Sequence, residues 1–406
     1  MEKINYKHTI YTCYIGYIVQ AIINNLGPLL FLTFEKSLGI SIEKIGFLIT
    51  INFGVQIIVD MIAAKYVDKI GYRPCIVFAH IATTIGLIGM GVLPLIFSNP
   101  YIGLIIAISI NAVGGGLIEV LISPIVEAAP SKEKDKAMSL LHSFYCFGHV
   151  AVVILSTIGF LIIGIQKWYY LPIIWAIVPF INIFMFSIVP INTVVDEGEA
   201  IPIKKLFSLK VFWIFSLLMI CAGASEQAMS QWASLFAESG LKVSKTVGDL
   251  LGPCTFAALM GLSRVFYGKC GSKIDLEKFI LGSSVLCICS YLVAIFSPNP
   301  IVALLGCAFT GLSVGIMWPG SFSIAAKECP QGGTAMFALL ALAGDVGAAV
   351  GPGVVSSVAK VNGGLDIRTG LFCAMIFPIM MFIVVFIKIK TRKEKIGEGV
   401  IKISDI

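Results

Sequence analysis

Two acidic residues stand inside long apolar stretches, where a charge is costly to keep. Glu119 follows three consecutive glycines, and Glu226 is followed directly by Gln227. If these stretches cross a membrane, each carboxylate costs about 3 kcal/mol and faces the protein interior or a cavity rather than lipid. A carboxyl group in such a place can exchange a proton, so both residues are candidates for proton coupling and for ligand contact. The alternative for each is a structural role, bonded to a neighbouring helix.

Amide and aromatic side chains accompany Glu226. Gln227 is its neighbour, and Gln231 and Trp232 follow about one helical turn later. Sugars present C–H faces that stack on indole rings and hydroxyl groups that need amide partners. The combination therefore predicts a site for a polyhydroxy ligand or another small organic solute, with a polar clamp between helices as the alternative.

Histidine, tyrosine and asparagine residues add further candidates. His142 and Tyr145 share a helix face, and Asn24 and Asn25 are adjacent amides in the first apolar stretch. A histidine can relay protons or contact a ligand, although a hydrogen-bonded core histidine explains His142 equally well. No Cys or Asp completes a ligand set with His142 and His149, so we predict no metal site.

Polar residues on other stretches extend this set. Asn111 and Trp318 are expected to line the same cavity. Asn52, Gln56 and Asp60 recur every four residues, which places them on one helix face. Asp60 stands close to the end of its helix, so we assign it mainly to anchoring the loop that follows.

The elements that must hold these residues are membrane helices. The chain has 406 residues, of which 58% are hydrophobic and only 13% charged, and its mean hydropathy is +0.95. Soluble domains carry about 25% charged residues. Because the apolar runs are long and lack a two-residue alternation, they indicate spanning helices and exclude a membrane barrel. The eleven cysteines are scattered without metal-ligand spacing and are interpreted as small buried hydrophobic residues.

The pattern predicts an all-α membrane protein with about twelve transmembrane helices in two six-helix bundles. Gly116 and Pro124 recur at the same spacing as Gly311 and Pro319, which favours an internal repeat. We divide the chain into an N-terminal bundle (1–194), a cytoplasmic linker (195–209), a C-terminal bundle (210–390) and a cytoplasmic tail (391–406). The predicted helices are 8–33, 44–66, 74–97, 100–127, 138–165, 168–190, 210–236, 246–268, 276–297, 299–327, 334–360 and 367–389.

Basic residues between alternate helices indicate the orientation. Acidic residues, among them Glu238 and Asp249, balance the charge in the other loops, and the net charge of the chain is +6. The positive-inside rule places both termini and the linker in the cytoplasm of a protein of the cell membrane. The same distribution explains the positive charge without a nucleic-acid partner. The basic residues used are Lys65, Lys69, Arg73, Lys132, Lys134, Lys136, Lys204, Lys205, Lys210, Arg264, Lys269 and Lys273, together with those of the tail.

The turn between helices two and three carries a motif. Asp68, Lys69, Gly71 and Arg73 occur as Asp-Lys-Ile-Gly-Tyr-Arg, in which glycine permits a tight turn and arginine can pair with carboxylates or with helix C-termini. The motif resembles the cytoplasmic loop signature of the major facilitator superfamily, although Ala64 stands where that family usually has glycine. The resemblance covers nearly the whole chain and implies that the motif gates the cytoplasmic side of a central cavity.

The combination of site residues resembles the fucose–galactose–glucose:proton symporter branch of that superfamily. In that branch a carboxylate of helix four takes part in proton coupling, and Glu119 stands at the matching place. The sequence departs from the branch at Asn24 and Asn25, where some members have a coupling aspartate, and at Ser123, which replaces a frequent asparagine. The resemblance implies a secondary active transporter that moves a small polar, sugar-like solute together with protons.

We expect this transporter to work by alternating access, as a monomer in the lipid bilayer and without a cofactor. Protonation of Glu119 or Glu226 would bias the populations open to either side. A drug or metabolite exporter of the same fold is the main alternative, and it would lower rather than raise internal substrate. A membrane sensor that has lost transport would be insensitive to Glu119→Gln and Glu226→Gln. The sequence contains no nucleophile–base set that would indicate an enzyme. It also contains no phosphate-binding loop that would indicate ATP-driven pumping.

Overall fold

The computed structural model describes residues 5–130, 134–192, 203–270, 274–329, 333–359 and 366–397. Within these ranges, twelve helices are long and apolar enough to cross a membrane, which confirms the predicted all-α membrane fold. They are α1 (Tyr6–Leu38), α2 (Ile42–Ile70), α3 (Tyr72–Ile96), α4 (Pro100–Ala128), α5 (Lys134–Ile163), α6 (Tyr170–Ile188), α7 (Lys210–Gly240), α8 (Lys245–Tyr267), α9 (Leu276–Phe296), α10 (Pro300–Ala325), α11 (Gly333–Ala359) and α12 (Ile367–Arg392).

Helices α7 and α8 are irregular where they approach the N-terminal half. The regular part of α7 ends at Ser230, and its last turn, Phe236–Gly240, is a π-helix. Near its start, α8 contains a second π-helical turn, Leu250–Cys254, which includes Pro253. Such turns are frequent at functional sites because they redirect side chains within a helix.

The fourth helix of each half begins in the same way. Asn99 accepts a hydrogen bond from the backbone N–H of Tyr101 at 3.1 Å, and Asn299 accepts one from Ile301 at 2.9 Å. A proline follows each asparagine, at the position where a helix loses nothing by lacking an N–H. The shared start supports the internal repeat predicted from the sequence.

Glycines allow the helices of each half to approach closely. A side-chain carbon built on Gly86 of α3 would lie 2.5 Å from the backbone nitrogen of Asn111 in α4. One built on Gly347 of α11 would collide with the backbone of Ile220 in α7. Such close contacts are typical of membrane helices, because their association is stabilised by van der Waals packing rather than by the hydrophobic effect.

The two halves, α1 to α6 and α7 to α12, meet mainly through α2 with α11 and α5 with α8. The predicted linker is described only from residue 203 onward, where Ile203–Leu206 forms a short helix, and the predicted tail only as far as residue 397. The division at residues 1–194 and 210–390 therefore stays a prediction. We call the side on which α1 begins and α12 ends the terminal side, and the opposite side the far side.

A buried ion pair joins the two halves on the far side. Lys245 Nζ lies 3.0 Å from Asp249 Oδ2 in α8 and donates to the carbonyl oxygen of Leu29 in α1 at 2.7 Å. It also lies 5.1 Å from the ring centroid of Phe160 in α5. Asp249 is fully buried and accepts from Ser234 at 2.5 Å, so the sequence analysis was wrong to count it among loop residues. We call these five residues the far-side cluster.

Aromatic packing and an outer ion pair complete this closure. Trp232 is fully buried and lies 5.7 Å from Phe31 across the interface, measured between ring centroids. Farther out, Lys36 Nζ lies 3.6 Å from Glu238 Oε1. His142, by contrast, is exposed in the terminal half of α5. The far-side ends of the two halves are thus in contact in this conformation.

The motif between α2 and α3 ties the terminal ends of helices together. Gly71 has a φ of 99°, a conformation that glycine adopts without strain. Arg73 donates to the carbonyl oxygens of Phe186, Ser187 and Val189 at 3.0, 2.6 and 2.8 Å. The sequence predicted that Arg73 would pair either with carboxylates or with a helix C-terminus, and it contacts the C-terminal end of α6. The side chain of Asp68 lies outside the described part, and Lys69 is exposed.

We expect Arg73→Gln to lower the stability of the N-terminal half. The substitution removes charge-assisted bonds to three carbonyl groups, a loss of about 2 kcal/mol. The thermal unfolding midpoint in detergent measures the effect. Lys69→Gln, which removes the same charge from an exposed side chain two residues before Gly71, is the matched control and should leave the midpoint unchanged. Equal shifts in the two variants would contradict this role for Arg73.

Candidate functional site

Four amide side chains and Glu119 form a hydrogen-bonded chain in the N-terminal half. Gln20 Nε2 donates to Glu119 Oε2 at 3.2 Å and to Gln56 Oε1 at 3.0 Å. Gln56 Nε2 and Asn52 Nδ2 both donate to Asn24 Oδ1, each at 3.1 Å. All four amides are buried. One-turn spacings, from Gln20 to Asn24 on α1 and from Asn52 to Gln56 on α2, place these amides on facing surfaces.

The C-terminal half reaches this chain through a carbonyl group that a proline leaves free. Pro28 has no N–H, so the carbonyl oxygen of Asn24 lacks its usual partner within the helix. Gln231 Nε2 donates to that oxygen at 2.9 Å and to Gln227 Oε1 at 2.9 Å. Gln227 Nε2 in turn donates to Glu226 Oε1 at 3.2 Å. We call the whole connection the amide chain; its members are Gln20, Asn24, Gln56, Gln227 and Gln231.

The amide chain links the two carboxylates that the sequence singled out. Glu119 stands at one end, on α4, and Glu226 at the other, on α7. Each carboxylate accepts from the amide next to it, and protonation would turn one of its oxygens into a donor. A change of protonation at Glu119 or Glu226 therefore alters the hydrogen bonding of Gln20 or Gln227, and both of these residues belong to the amide chain that joins the halves.

Arg264 was counted among loop residues from the sequence, and that assignment was wrong. The residue lies within α8, and its side chain is only 13% exposed. Its Nη2 lies 3.7 Å from Glu226 Oε2, and its Nη1 lies 3.4 Å from the carbonyl oxygen of His142. Its Nε is buried without a hydrogen-bond partner among the described residues. A guanidinium group so weakly satisfied is a candidate ligand contact.

Asp60 contacts the opposite half of the protein rather than the loop to which the sequence analysis assigned it. It lies close to Asp345 on α11, which is 4% exposed, and a side-chain carbon built on Gly116 of α4 would lie 2.9 Å from Asp60 Oδ1. Asp60 Oδ1 and Asp345 Oδ2 are both buried without a hydrogen-bond partner among the described residues. The two carboxyl groups are thus neighbours between α2 and α11, close to Glu119 of α4.

Tyrosines of α1 and α5 complete the polar surface. Tyr145 accepts from Asn25 Nδ2 at 3.3 Å. Tyr17 hydrogen-bonds Ser123 of α4 at 3.1 Å and packs edge-on against His142, with ring centroids 5.4 Å apart. His142 is exposed, so its side chain is available to a ligand.

Three predicted site residues lie elsewhere. The backbone and Cβ of Asn111 pack against Gly86 of α3, so this residue belongs to the α3–α4 contact. Trp232 donates to the carbonyl oxygen of Pro352 at 3.2 Å and is fully buried in the far-side closure, out of reach of a ligand in this conformation. Trp318 packs against Gly344 and is half-buried beside Asp345.

No metal centre accompanies these residues in the described ranges, where no group of three His, Cys, Asp or Glu side chains is placed to hold an ion. An apolar groove of about 510 Å³ lies between α5 and α8. It offers no polar side chain to a ligand, and exposed Phe147 and Leu155 mark it as a surface towards lipid. Its lining residues are Phe147, Val150, Ala151, Ile154, Leu155, Ala257, Ala258 and Gly261.

Curated relatives and solved structures place this architecture among known transporters. The chain is 23% identical over 376 residues to the multi-drug resistance efflux pump PmrA of Streptococcus pneumoniae, covering 88% of this chain and 91% of the pump. Its fold is similar to that of a D-xylose–proton symporter, with a TM-score of 0.78, 15% identity and coverage of 93% and 96% of the two chains.

The fold is also similar to that of the fucose:proton symporter FucP of E. coli, with a TM-score of 0.65, 15% identity and coverage of 94% and 99%. The sequence model of the Major Facilitator Superfamily matches residues 13–352. That match begins within α1 and reaches into α11, so it includes every residue of the amide chain and both carboxylates. The chain is therefore a multi-pass membrane transporter rather than an enzyme, and it belongs to the Major Facilitator Superfamily.

Proposed function

We propose that this transporter moves a small polar, sugar-like solute together with protons. The observation that carries the proposal is the amide chain between Glu119 and Glu226. Amides suit the hydroxyl groups of a solute, and the two carboxylates are groups that can load and release protons. The proposed contacts for the solute are Asn24, Asn25, Glu119, His142, Tyr145, Glu226, Gln227 and Gln231.

The amide chain also suggests how the two events are coupled. The bond from Gln231 to Asn24 joins the halves, so it must break when the halves separate on the far side. A proton on Glu226 changes the partner of Gln227 and thereby the position of Gln231. Loading of protons and solute would then bias the populations open to either side, which is the requirement for coupled alternating access.

We further propose the cell membrane as the location, with the terminal side in the cytoplasm and the protein working as a monomer. Basic residues on the terminal side, including Lys69 and Arg73, support this orientation. In that orientation the far-side cluster closes the extracellular side.

Uptake into vesicles tests this function. The purified protein is reconstituted into liposomes with an imposed inward proton gradient, and radiolabelled sugars are offered outside. We expect accumulation that collapses when an ionophore removes the gradient, and acidification inside when sugar is added. Accumulation that is insensitive to the gradient would contradict proton coupling while leaving sugar transport in place.

Export of apolar compounds is the second candidate function. The relative from Streptococcus pneumoniae described as a multi-drug resistance efflux pump favours it. In the same vesicles, an exporter of this kind would be stimulated by apolar cations and would show no response to sugars. Expression in cells separates the two directions, since export lowers the internal concentration of the compound and symport raises it.

A further inference from the structure

The unsatisfied guanidinium group of Arg264 points to the chemical class of the solute. Buried cations in proteins are normally paired at short distance and fully hydrogen-bonded. Arg264 has instead a 3.7 Å contact with Glu226, a 3.4 Å contact with a carbonyl oxygen and a 3.8 Å contact with the sulfur of Met260. Its Nε has no partner among the described residues. The guanidinium group can therefore bind an additional anion.

Glu226 competes only weakly with a solute anion for the guanidinium group of Arg264. Its other carboxylate oxygen accepts from Gln227, which holds the carboxylate towards α7. A solute carboxylate could bind the guanidinium through two parallel bonds, a geometry that Arg provides and Lys does not. The neighbouring amides of Gln227 and Gln231 remain within the same polar surface for hydroxyl groups.

We propose that the transported solute is a sugar acid, whose carboxylate Arg264 binds and whose hydroxyl groups contact the amide chain. This rests on the proposed symport of a sugar-like solute and narrows its substrate class. A hydroxylated carboxylate matches both the guanidinium group and the amides, whereas a neutral sugar would leave Arg264 weakly paired and a simple carboxylate would not bond the amides.

The pair also links anion binding to protons. When Glu226 is ionised it shares Arg264 with the solute, and when it is protonated the guanidinium is free for the solute carboxylate. One proton and one anion then bind together, so the net charge of the site is the same before and after loading. The other ionisable side chains that face this pair are Tyr17 of α1, Glu119 of α4, and His142, Tyr145 and Cys146 of α5.

Matched pairs of probes test the proposal. Binding of D-glucuronate and D-galacturonate is compared with that of D-glucose and D-galactose by thermal stabilisation and by isothermal titration of the purified protein. We expect the acids to bind, and Arg264→Gln to weaken their binding about ten- to a hundredfold, the effect of losing a charge-assisted bidentate contact. Lys278→Gln, which removes a charge from a surface side chain that is 65% exposed, should bind the acids as the wild type does.

Two further variants keep the test decisive. Arg264→Lys retains the charge without the planar fork, so it should bind the acids with intermediate affinity even if Arg264→Gln fails to fold. In the wild type, D-glucuronate should bind more tightly as the pH falls, by up to about tenfold per pH unit. Glu226→Gln should remove that dependence and bind tightly at all pH values at which the solute is ionised.

Each result has a distinct meaning. Neutral sugars that bind and are accumulated with protons, with sugar acids inert, would overturn the role of Arg264 and leave the proposed symport standing. Equal binding of D-glucuronate to the wild type and to Arg264→Gln would also overturn it. Simple carboxylates such as benzoate binding as well as D-glucuronate would remove the requirement for hydroxyl groups. Binding of apolar cations alone would overturn both proposals.

Discussion

Glu119→Gln is expected to abolish proton-driven accumulation while leaving solute exchange intact. The amide can still accept from Gln20, so the hydrogen-bonded surface between α1, α2 and α4 is preserved. Glutamine cannot take up a proton, so the protonated state at this end of the amide chain is lost. In vesicles, uptake driven by a proton gradient should fall to the level of protein-free liposomes, whereas exchange of labelled for unlabelled solute should continue.

The matched control for this prediction is Glu35→Gln, the same chemical change near the far end of α1 and away from the amide chain. It should accumulate solute as the wild type does. If Glu119→Gln accumulates solute normally, the proton is carried elsewhere, and the Asp60–Asp345 pair is the next candidate. If exchange is lost as well, Glu119 serves binding rather than coupling.

Lys245→Met is expected to open the far side. The substitution leaves Asp249 fully buried with only Ser234 as partner, and it removes the bond from Lys245 to α1. Breaking a buried ion pair by removing one partner costs about 3 kcal/mol or more. Because the ion pair belongs to the closed far-side interface, its loss destabilises the conformation in which the far side is closed. The ratio of closed to open protein should therefore change by about a hundredfold.

Cross-linking across the interface measures this shift. Lys36 and Glu238 contact each other in the closed conformation, so a Lys36→Cys, Glu238→Cys pair should join rapidly with a short thiol reagent. Lys245→Met should slow that reaction. Lys278→Met should not, and a Lys245→Met, Asp249→Leu double variant should recover part of the rate because no buried charge is left. Unchanged cross-linking in Lys245→Met would show that the ion pair is dispensable for closure.

Much of this architecture could be predicted from the sequence because it follows from local chemistry. Long apolar runs specify spanning helices, and a carboxylate within such a run, such as Glu119, marks an inward face regardless of tertiary structure. The amides at Asn24 and Gln231 were identified for the same reason. Their pairing was not, since it depends on a backbone oxygen that Pro28 frees and that only the packing of α1 against α7 brings to Gln231.

The residues that sequence reasoning misplaced lie near helix ends. Arg264 stands three residues before the end of its span, and a basic residue there is typical of a cytoplasmic loop. Asp60, three residues before the end of the second span, has the same ambiguity. What decides each case is a neighbour distant in sequence, Glu226 for one and Asp345 for the other. The signal available was the four-residue recurrence of Asn52, Gln56 and Asp60, which assigns all three to one face.

The amide chain has a thermodynamic consequence for any solute. Every member already bonds a neighbour, so an incoming hydroxyl group must displace an existing partner at each of them except Gln20, whose Oε1 is buried without a partner among the described residues. The net gain for each such exchange is small, about 1 kcal/mol or less. Affinity for the solute will therefore be modest, and recognition will depend on whether the solute replaces every bond that it breaks. A carrier that must release its cargo on the other side of the membrane is well served by such weak and exacting binding.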